Sequence, residues 1–286
     1  MFAPYAAGGN FLLFFYLLAQ STVNARMRLL LVGYVRWRWS RIRGERASWD
    51  RPERFTAILN SYKRPWNMQR LVETMLRCEC VERVIVTNNN PDVRVEDVVT
   101  TRHANLTLID QPTQKGAETR FEIAADEKGP YFIAVDDDIF LRPSQITLLA
   151  KELLDDPTVP HGMFGTLLEW TNDEPSLRRG LWGFDGSVDI VNRAYFFTKE
   201  HARNFRAIVE KATRESLITE NDVRICDDVL LSVTGKGRPL CHDVGPFTDC
   251  YSSTEKGIAL FKTVQRFVER RTAILVTLQA LVGISE

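Results

Sequence analysis

One stretch of the sequence, from Tyr131 to Phe140, constrains the fold more than any other. Its first five residues form a continuous apolar run without polar alternation, which predicts a strand that is buried on both faces of a sheet. The run ends in three consecutive carboxylates, Asp136, Asp137 and Asp138. Burying even one unpaired carboxylate is costly, so a strand that ends in this way needs a counterion or solvent at its end.

These three aspartates predict a metal site at the edge of the sheet. In an α/β sheet, ligands bind outside the carboxyl ends of the strands. Oxygen ligands at such an end suit a hard divalent cation such as Mg²⁺ or Mn²⁺, which would bridge the phosphates of a nucleotide. The alternative interpretation is an acidic turn that faces solvent, although such turns seldom follow so apolar a run.

Length, charge and cysteine content limit the class of protein. The chain has 286 residues, enough for one large α/β domain or two small ones. Its formal net charge of +0 gives no general attraction to nucleic acid. Five cysteines are too few for a disulfide scaffold, and Cys78-Glu79-Cys80 lacks the spacing of a zinc knuckle. We interpret Cys78 and Cys80 as buried structural thiols.

Residues 1–50 differ in composition from the rest and are predicted to form a leader, with the main domain over 51–286. The apolar run 11–19 is shorter than the ~20 residues that cross a bilayer comfortably. Alternating Arg and Trp at 36–39 is typical of a membrane interface. A membrane anchor or signal is one hypothesis, and a linker helix packed on the domain is the other. We expect that activity survives removal of residues 1–50.

After residue 54, apolar segments alternate with helical patterns. This alternation indicates a mostly parallel sheet with helical layers. The predicted strands cover 55–59, 81–87, 106–109, 163–170 and 188–198, besides the strand that precedes the aspartates. The predicted helices cover 117–128, 144–154 and 199–213, with another that begins at Pro65. Segment 171–187, rich in Gly, Asp and Pro, is predicted to be a mobile or acceptor-facing loop.

Polar residues follow the predicted strands and therefore collect at one rim of the sheet. The sequence has neither a P-loop motif nor a dinucleotide-binding Gly-x-Gly-x-x-Gly turn, so both of those classes are disfavoured. Phosphates would instead be held by a metal and by Lys or Arg. Besides the aspartates, the rim residues are Asn60, Arg64, Asn88, Asn89, Lys115 and Arg120.

A second acidic centre, Asp227-Asp228, begins a predicted helix with Val229, Leu230 and Val233 on its apolar face. Carboxylates in a first helical turn are favoured by the helix dipole, so simple N-terminal capping is one interpretation. The functional interpretation is that one carboxylate projects into the cleft beside a transferred group. One acidic centre for a metal and another for the reacting carbon suit metal-assisted group transfer. Hydrolase motifs built on Ser or His are missing from the sequence.

The order and spacing of four segments resembles the exostosin-like glycosyltransferases, retaining GT-A transferases of family 64. The segments are 55–64, 84–89, 135–138 and 226–228, and the resemblance extends over 54–265. It implies a GT-A fold, a Rossmann-like α/β fold with a mostly parallel sheet flanked by helices. It also implies that a hexose or N-acetylhexosamine moves from a UDP-sugar, with Mn²⁺ or Mg²⁺, to a glycan or glycolipid acceptor. The implied location is the endomembrane system, Golgi or ER.

The resemblance also implies roles for individual residues. Asp138 would coordinate the metal, and Asp228, next to Asp227, would lie beside the anomeric carbon. Arg64 and Asn89 would line the uridine pocket. The residues implied for donor binding are Asn60, Tyr62, Arg64, Asn89, Lys115, Arg120, Asp136 and Asp137.

This sequence departs from the family pattern at three places. Ile225 stands where the family often has Asn, so a sugar contact would come from Asn221 or Asn192. The late basic residue that meets the diphosphate has two candidates, Lys256 and Lys262. The disulfide that the family forms from its Cys would need Cys241 or Cys250, and neither position matches.

Two other functions stay open. An inverting GT-A transferase would use Asp227 or Asp228 as a general base for the acceptor hydroxyl. A catalytically silent protein that binds sugar nucleotides or serves as a membrane scaffold would keep the fold and lose turnover.

Overall fold

The structure is a computed structural model that describes residues 25–178, 180–250, 253 and 260–283. The apolar run 11–19 and Lys256 lie outside the described residues. At the centre is an eight-stranded sheet with helices on both faces, so the predicted α/β class is confirmed.

The first half of the sheet is parallel. Its strands are β1 (Phe55–Ser61), β2 (Val81–Asn88), β3 (Leu106–Asp110) and β4 (Tyr131–Val135), in the spatial order β3-β2-β1-β4. In β4, Phe132 to Val135 are buried, as the apolar run predicts. A two-residue strand, β5 (Ile139–Phe140), follows the three aspartates.

The second half of the sheet mixes strand directions. Further along the chain come β6 (His161–Thr166), β7 (Leu168–Thr171), β8 (Glu174–Leu177), β9 (Gly186–Ser187), β10 (Ile190–Thr198), β11 (Leu240–Cys241) and β12 (Thr248–Asp249). The strand β10 pairs antiparallel with both β4 and β6. Beyond β6, the sheet continues with β11 and ends at β9. The predicted strand over 163–170 is divided between β6 and β7. Part of the predicted loop over 171–187 is the β7–β8 hairpin, because β8 pairs antiparallel with β7.

Helices cover both faces of the sheet. They are α1 (Ala25–Ile42), α2 (Met68–Met75), α3 (Val95–Val98), α4 (Thr119–Asp126), α5 (Pro143–Asp155), α6 (Lys199–Arg214), α7 (Glu220–Ile225), α8 (Asp227–Ser232), α9 (Leu260–Thr263) and α10 (Phe267–Val282). A 3-10 turn over Pro65–Asn67 precedes α2. In β1, Ala57 and Leu59 face one core and Ile58 faces the other, as the two-residue period of a strand requires. The first core lies under α1, α2 and α5, and the second under α4, α6, α8 and α10.

One side of α1 belongs to the first core. Leu30, Tyr34 and Trp37 are buried there, and the Trp37 ring stacks on Phe140 with 4.8 Å between ring centroids. A Cβ at Gly33 would lie 1.7 Å from the Phe247 carbonyl oxygen, so the helix backbone lies against that strand-flanking segment. Removing α1 would expose this part of the core, so the packing favours the linker-helix interpretation for residues 25–42. The survival of activity without residues 1–50 stays a prediction. Over residues 25–178, 180–250 and 260–283, no helix combines the length and the apolar character needed to cross a bilayer.

No disulfide joins any of the five cysteines, all of which lie in the described part of the chain. Cys78 and Cys80 are buried, as predicted, and Cys78 donates to the Thr74 carbonyl oxygen at 3.3 Å. Cys226, Cys241 and Cys250 form no bridge either, so the disulfide implied by the resemblance is not formed in this chain.

Candidate active site

The predicted rim residues meet at the carboxyl ends of β1, β2 and β4. Arg64 follows β1, and its Nη1 lies 2.6 Å from Asp137 Oδ1 while its Nη2 lies 3.5 Å from Asp138 Oδ2. Asn67 Nδ2 donates to the Asp137 carbonyl oxygen at 2.7 Å. The turn after β4 is therefore tied to the turn after β1 by both side-chain and backbone contacts.

The two acidic centres form one cluster, because Arg120 joins them. Its Nη1 lies 2.6 Å from Asp136 Oδ1 and its Nη2 lies 2.7 Å from Asp227 Oδ2. The guanidinium is buried, and its Cζ lies 4.3 Å from the centroid of the Tyr195 ring. A stacked, always charged arginine suits this bridging position. Sequence reasoning placed Arg120 near the donor, but it did not predict this bridge.

Two arginines of the cluster were missed by the sequence analysis. Arg193 sits on an irregularity of β10 with φ 69°, and its Nη2 lies 3.0 Å from Asp138 Oδ1 and 2.5 Å from Asp249 Oδ1. Arg271 in α10 binds Asp228 with both nitrogens, at 2.6 and 2.7 Å. The available signals were Arg193 within a mostly apolar strand and Arg271 just before the apolar part of α10, since a buried arginine requires an acidic partner.

The remaining predicted residues hold the loop that precedes α4. Asn60 Nδ2 and Asn89 Nδ2 donate to the Gly116 carbonyl oxygen at 3.4 and 2.7 Å. Tyr62 Oη accepts from Gln114 Nε2 at 2.6 Å. Lys115 is exposed on this loop. These contacts bring the loop against the ends of β1 and β2.

Two buried acceptors at this loop have no hydrogen-bond partner among the described residues. They are Asn60 Oδ1 and Glu118 Oε2, while Glu118 Oε1 accepts from the Gly116 N–H at 3.1 Å. Burial also raises the pKa of the Glu118 carboxyl. Buried polar atoms are nearly always paired in proteins, so this pair is available to a ligand that donates hydrogen bonds.

The candidates for late or compensating contacts have separate positions. Asn192 Nδ2 donates to Thr166 Oγ1 at 3.3 Å, whereas Asn221 is exposed on α7. Lys262 is exposed on α9. The cationic group that does reach the acidic cluster from this end of the chain is Arg271, which the sequence analysis did not consider.

Burial and ion pairing divide the aspartates into two kinds. Burial raises the pKa values of Asp136, Asp137 and Asp227 to about 6, against the opposing charges of Arg120 and Arg64. Burial acts on Asp138 too, but Arg193 and Arg64 together outweigh it and lower the pKa of that carboxyl. Asp138 is therefore the member of the triplet that keeps its negative charge most firmly.

The cluster has the charge and the donor atoms that a divalent cation needs. It holds six carboxylates and four arginines, so the negative groups are in excess by two. In the described part of the chain, no three acidic, His or Cys side chains are arranged as a metal cage. A cation bound through one carboxylate and the phosphates of its ligand needs no such cage, so the oxygen donors present fit Mn²⁺ or Mg²⁺ in that mode. The carboxylates are those of Asp136, Asp137, Asp138, Asp227, Asp228 and Asp249, and the arginines are Arg64, Arg120, Arg193 and Arg271.

Comparison with known proteins identifies a matching family. Residues 55–234 match the model of the glycosyl transferase family 64 domain. A search of curated protein sequences finds no match to the chain.

Solved structures of similar fold are distant in sequence. GalNAc-T7 with UDP, GalNAc and Mn²⁺ is 8% identical, with a TM-score of 0.49 over 69% of this chain and 43% of that chain. CMP:2-keto-3-deoxy-manno-octonic acid synthetase complexed with CTP is 13% identical, with a TM-score of 0.40 over 61% and 86%. Glucosyl-3-phosphoglycerate synthase from Mycobacterium tuberculosis, in complex with Mn²⁺, UDP and glucosyl-3-phosphoglycerate, is 13% identical, with a TM-score of 0.33 over 41% and 50%.

Proposed function

The chain belongs to glycosyl transferase family 64, and we propose that it is a retaining transferase of the exostosin-like, GT-A type. It would move a hexose or N-acetylhexosamine from a UDP-sugar to a glycan or glycolipid acceptor, within the endomembrane system. The observation that carries this proposal is the single buried cluster in which Arg120 joins the triplet after β4 to the start of α8. A donor that reaches the metal carboxylate thereby also reaches the second acidic centre.

Donor binding is proposed at the rim between β1, β2 and the triplet. Asp138 would hold Mn²⁺ or Mg²⁺, and the bound cation would neutralise charge on the diphosphate leaving group. Asn60 Oδ1 and Glu118 Oε2, the acceptors without a partner in the described chain, would receive hydrogen bonds from the nucleoside. Arg64 would keep the triplet in place through Asp137.

Sugar transfer is proposed to depend on Asp228. Its carboxylate would stabilise positive charge that develops at the anomeric carbon, and a fixed position makes such stabilisation effective. The two-nitrogen contact with Arg271 supplies that fixed position. Arg271 is thus a positioning residue in this proposal.

One observation favours an inverting transferase as the second candidate. Burial raises the pKa of Asp227 to about 6, despite the opposing charge of Arg120, which brings this carboxyl closer to the working range of a general base. The configuration of the product separates the two candidates. A product with the anomeric configuration of the donor supports the retaining reaction, and an inverted product supports Asp227 as the base.

The first test is thermal stability with UDP, with and without Mn²⁺, on the full chain. A ligand that binds only the native state raises the melting temperature. We expect a rise that needs both components and that disappears in Asp138→Asn, while Asp126→Asn, an exposed carboxylate paired with Arg206, keeps it. A wild-type protein with no shift would contradict the donor site. A shift without turnover on any acceptor would support the silent binding protein instead.

A further inference from the structure

The outer face of α1 presents an apolar stripe to solvent. Val32, Val35, Trp39 and Ile42 are spaced three or four residues apart, so they share one side of the helix. All four are exposed, Trp39 to 53% and Ile42 to 70%. The opposite side of the same helix carries Trp37 into the core, so the orientation of the stripe is fixed by packing.

Arginines border the stripe on both sides. Arg36 and Arg43 lie seven residues apart along one border, and Arg38 lies on the other. All three are exposed, and α1 contains no acidic residue. An apolar stripe that includes an aromatic residue and has cationic borders is the pattern of a helix that lies in the plane of a membrane surface.

A cavity of about 420 Å³ opens beside the stripe. Three guanidinium groups border it: that of Arg36 from α1, that of Arg43 from the residue that follows α1, and that of Arg142 from the residue that precedes α5. The Arg43 Cζ lies 4.7 Å from the centroid of the Trp39 ring, which keeps that arginine at the cavity. Ser40 and Glu45 complete the lining. Three cations against one carboxylate favour an anionic ligand such as a phosphodiester.

We propose that this face of α1 docks on an anionic phospholipid surface, with a headgroup phosphate in the arginine cavity and the stripe at the acyl boundary. This inference is independent of the reaction proposed above. Residues 1–24 carry no charged side chain and include the apolar run 11–19, so the chain that leads into α1 is compatible with the same surface.

The composition of the face argues against the other occupants. A nucleic acid would use the arginines but would gain little from exposed Val32, Val35 and Ile42. A second copy, docked by a twofold axis, would place the arginine borders of two equal helices near each other, where like charges repel. A lipid surface satisfies both features, because it offers acyl chains beneath anionic headgroups.

The test is co-sedimentation of the full chain with phosphatidylcholine vesicles, with and without phosphatidylserine. We expect tighter binding when phosphatidylserine is present, and a loss of that gain with added salt. Arg36→Glu with Arg43→Glu should weaken binding to the anionic vesicles at least about tenfold, since each arginine near such a surface contributes severalfold. Trp39→Glu with Ile42→Glu should weaken it as well.

Matched controls separate this face from general charge and exposure effects. Arg94→Glu with Arg178→Glu changes the net charge equally at two exposed arginines outside α1, and Trp170→Glu changes an exposed aromatic of similar accessibility. These controls should bind as the wild type does. All the replaced side chains are exposed, so melting temperatures should stay close to that of the wild type.

Four results would overturn the proposal. The first is equal binding to neutral and anionic vesicles, and the second is equal loss in the charge-reversed pair and its control. The third is binding of soluble glycerol phosphate that competes fully with the vesicles, which would indicate a site for a free phosphate. The fourth is a lipid-free dimer, or an RNA complex, that the α1 variants abolish while vesicle binding persists.

Discussion

Each arginine of the buried cluster is matched to a carboxylate that it keeps in place. Arg64 holds Asp137, Arg193 holds Asp138, and Arg271 holds Asp228. Arg120 holds two carboxylates, those of Asp136 and Asp227. Breaking a buried pair by removing one partner is costly, because the other charge is left without compensation. The same contacts therefore support both the stability of the rim and the orientation of its carboxylates.

Asp228→Asn should separate binding from transfer. The amide keeps the size of the side chain but loses the negative charge proposed to face the anomeric carbon, so we expect metal-dependent UDP binding to persist and transfer to fall by at least about a hundredfold. Initial rates with donor and acceptor, together with the thermal shift by UDP and Mn²⁺, measure both properties. Near wild-type transfer in this variant, while Asp126→Asn is also fully active, would contradict the role of the second acidic centre.

At the scale of elements, the two sides of α1 differ in their surroundings. Its inner side contributes Leu30, Tyr34 and Trp37 to the first core, and its outer side carries the stripe. Apolar residues lie on both sides of α1. The sequence alone does not distinguish the buried side from the exposed side, because both sides carry the same residue types. This explains why a packed helix and a membrane segment were equal alternatives for residues 1–50.

Two tryptophans of α1 make a matched pair for testing its packing. We expect Trp37→Ala to lower the free energy of unfolding by about 3–5 kcal/mol, since it leaves a large cavity against Phe140. Trp39→Ala, at the exposed stripe, should change it by about 0.5 kcal/mol or less. Urea unfolding of both variants measures the difference. Equal small effects would mean that α1 is not part of the cooperative core.

A pair of histidines links β6 to the chain after β11. His161 Nδ1 and His242 Nε2 lie 2.9 Å apart, and His161 Nε2 donates to the Asp156 carbonyl oxygen at 2.8 Å. A neutral His161 that carries its proton on Nε2 therefore accepts from His242. Burial, with the neighbouring His242, lowers the pKa of His161 to about 4.

This histidine predicts a pH dependence of stability. The folded-state pKa lies below the unfolded value of ~6.5, so the unfolded chain binds the additional proton as the pH falls. The contribution of His161 to the free energy of unfolding is fully present above pH ~6.5. It falls by about 3 kcal/mol as the pH decreases to 4. The unfolding free energy of wild type minus that of His161→Asn, measured by urea across this range, should decrease accordingly. Parallel curves for the two proteins would refute the assignment.

At the scale of the whole molecule, the sequence reveals the sheet better than the site. Mostly apolar segments identify β1, β2 and β4, because buried parallel strands need apolar residues on both faces. The two-residue strands β9 and β11 carry no periodic pattern. Arg193 and Arg271 were missed because their partners lie far away along the chain, and only the tertiary fold brings each pair together.

The stacking of Trp37 on Phe140 connects the helix that carries the proposed lipid face to the strand that follows the proposed metal carboxylate. The strand that contains Phe140 begins directly after Asp138, and β12, its partner, carries Asp249. Any two binding equilibria of one protein obey thermodynamic reciprocity. If vesicle binding changes the affinity for UDP by a given factor, UDP binding must change the affinity for the vesicle by the same factor. Either measurement therefore reports on the other.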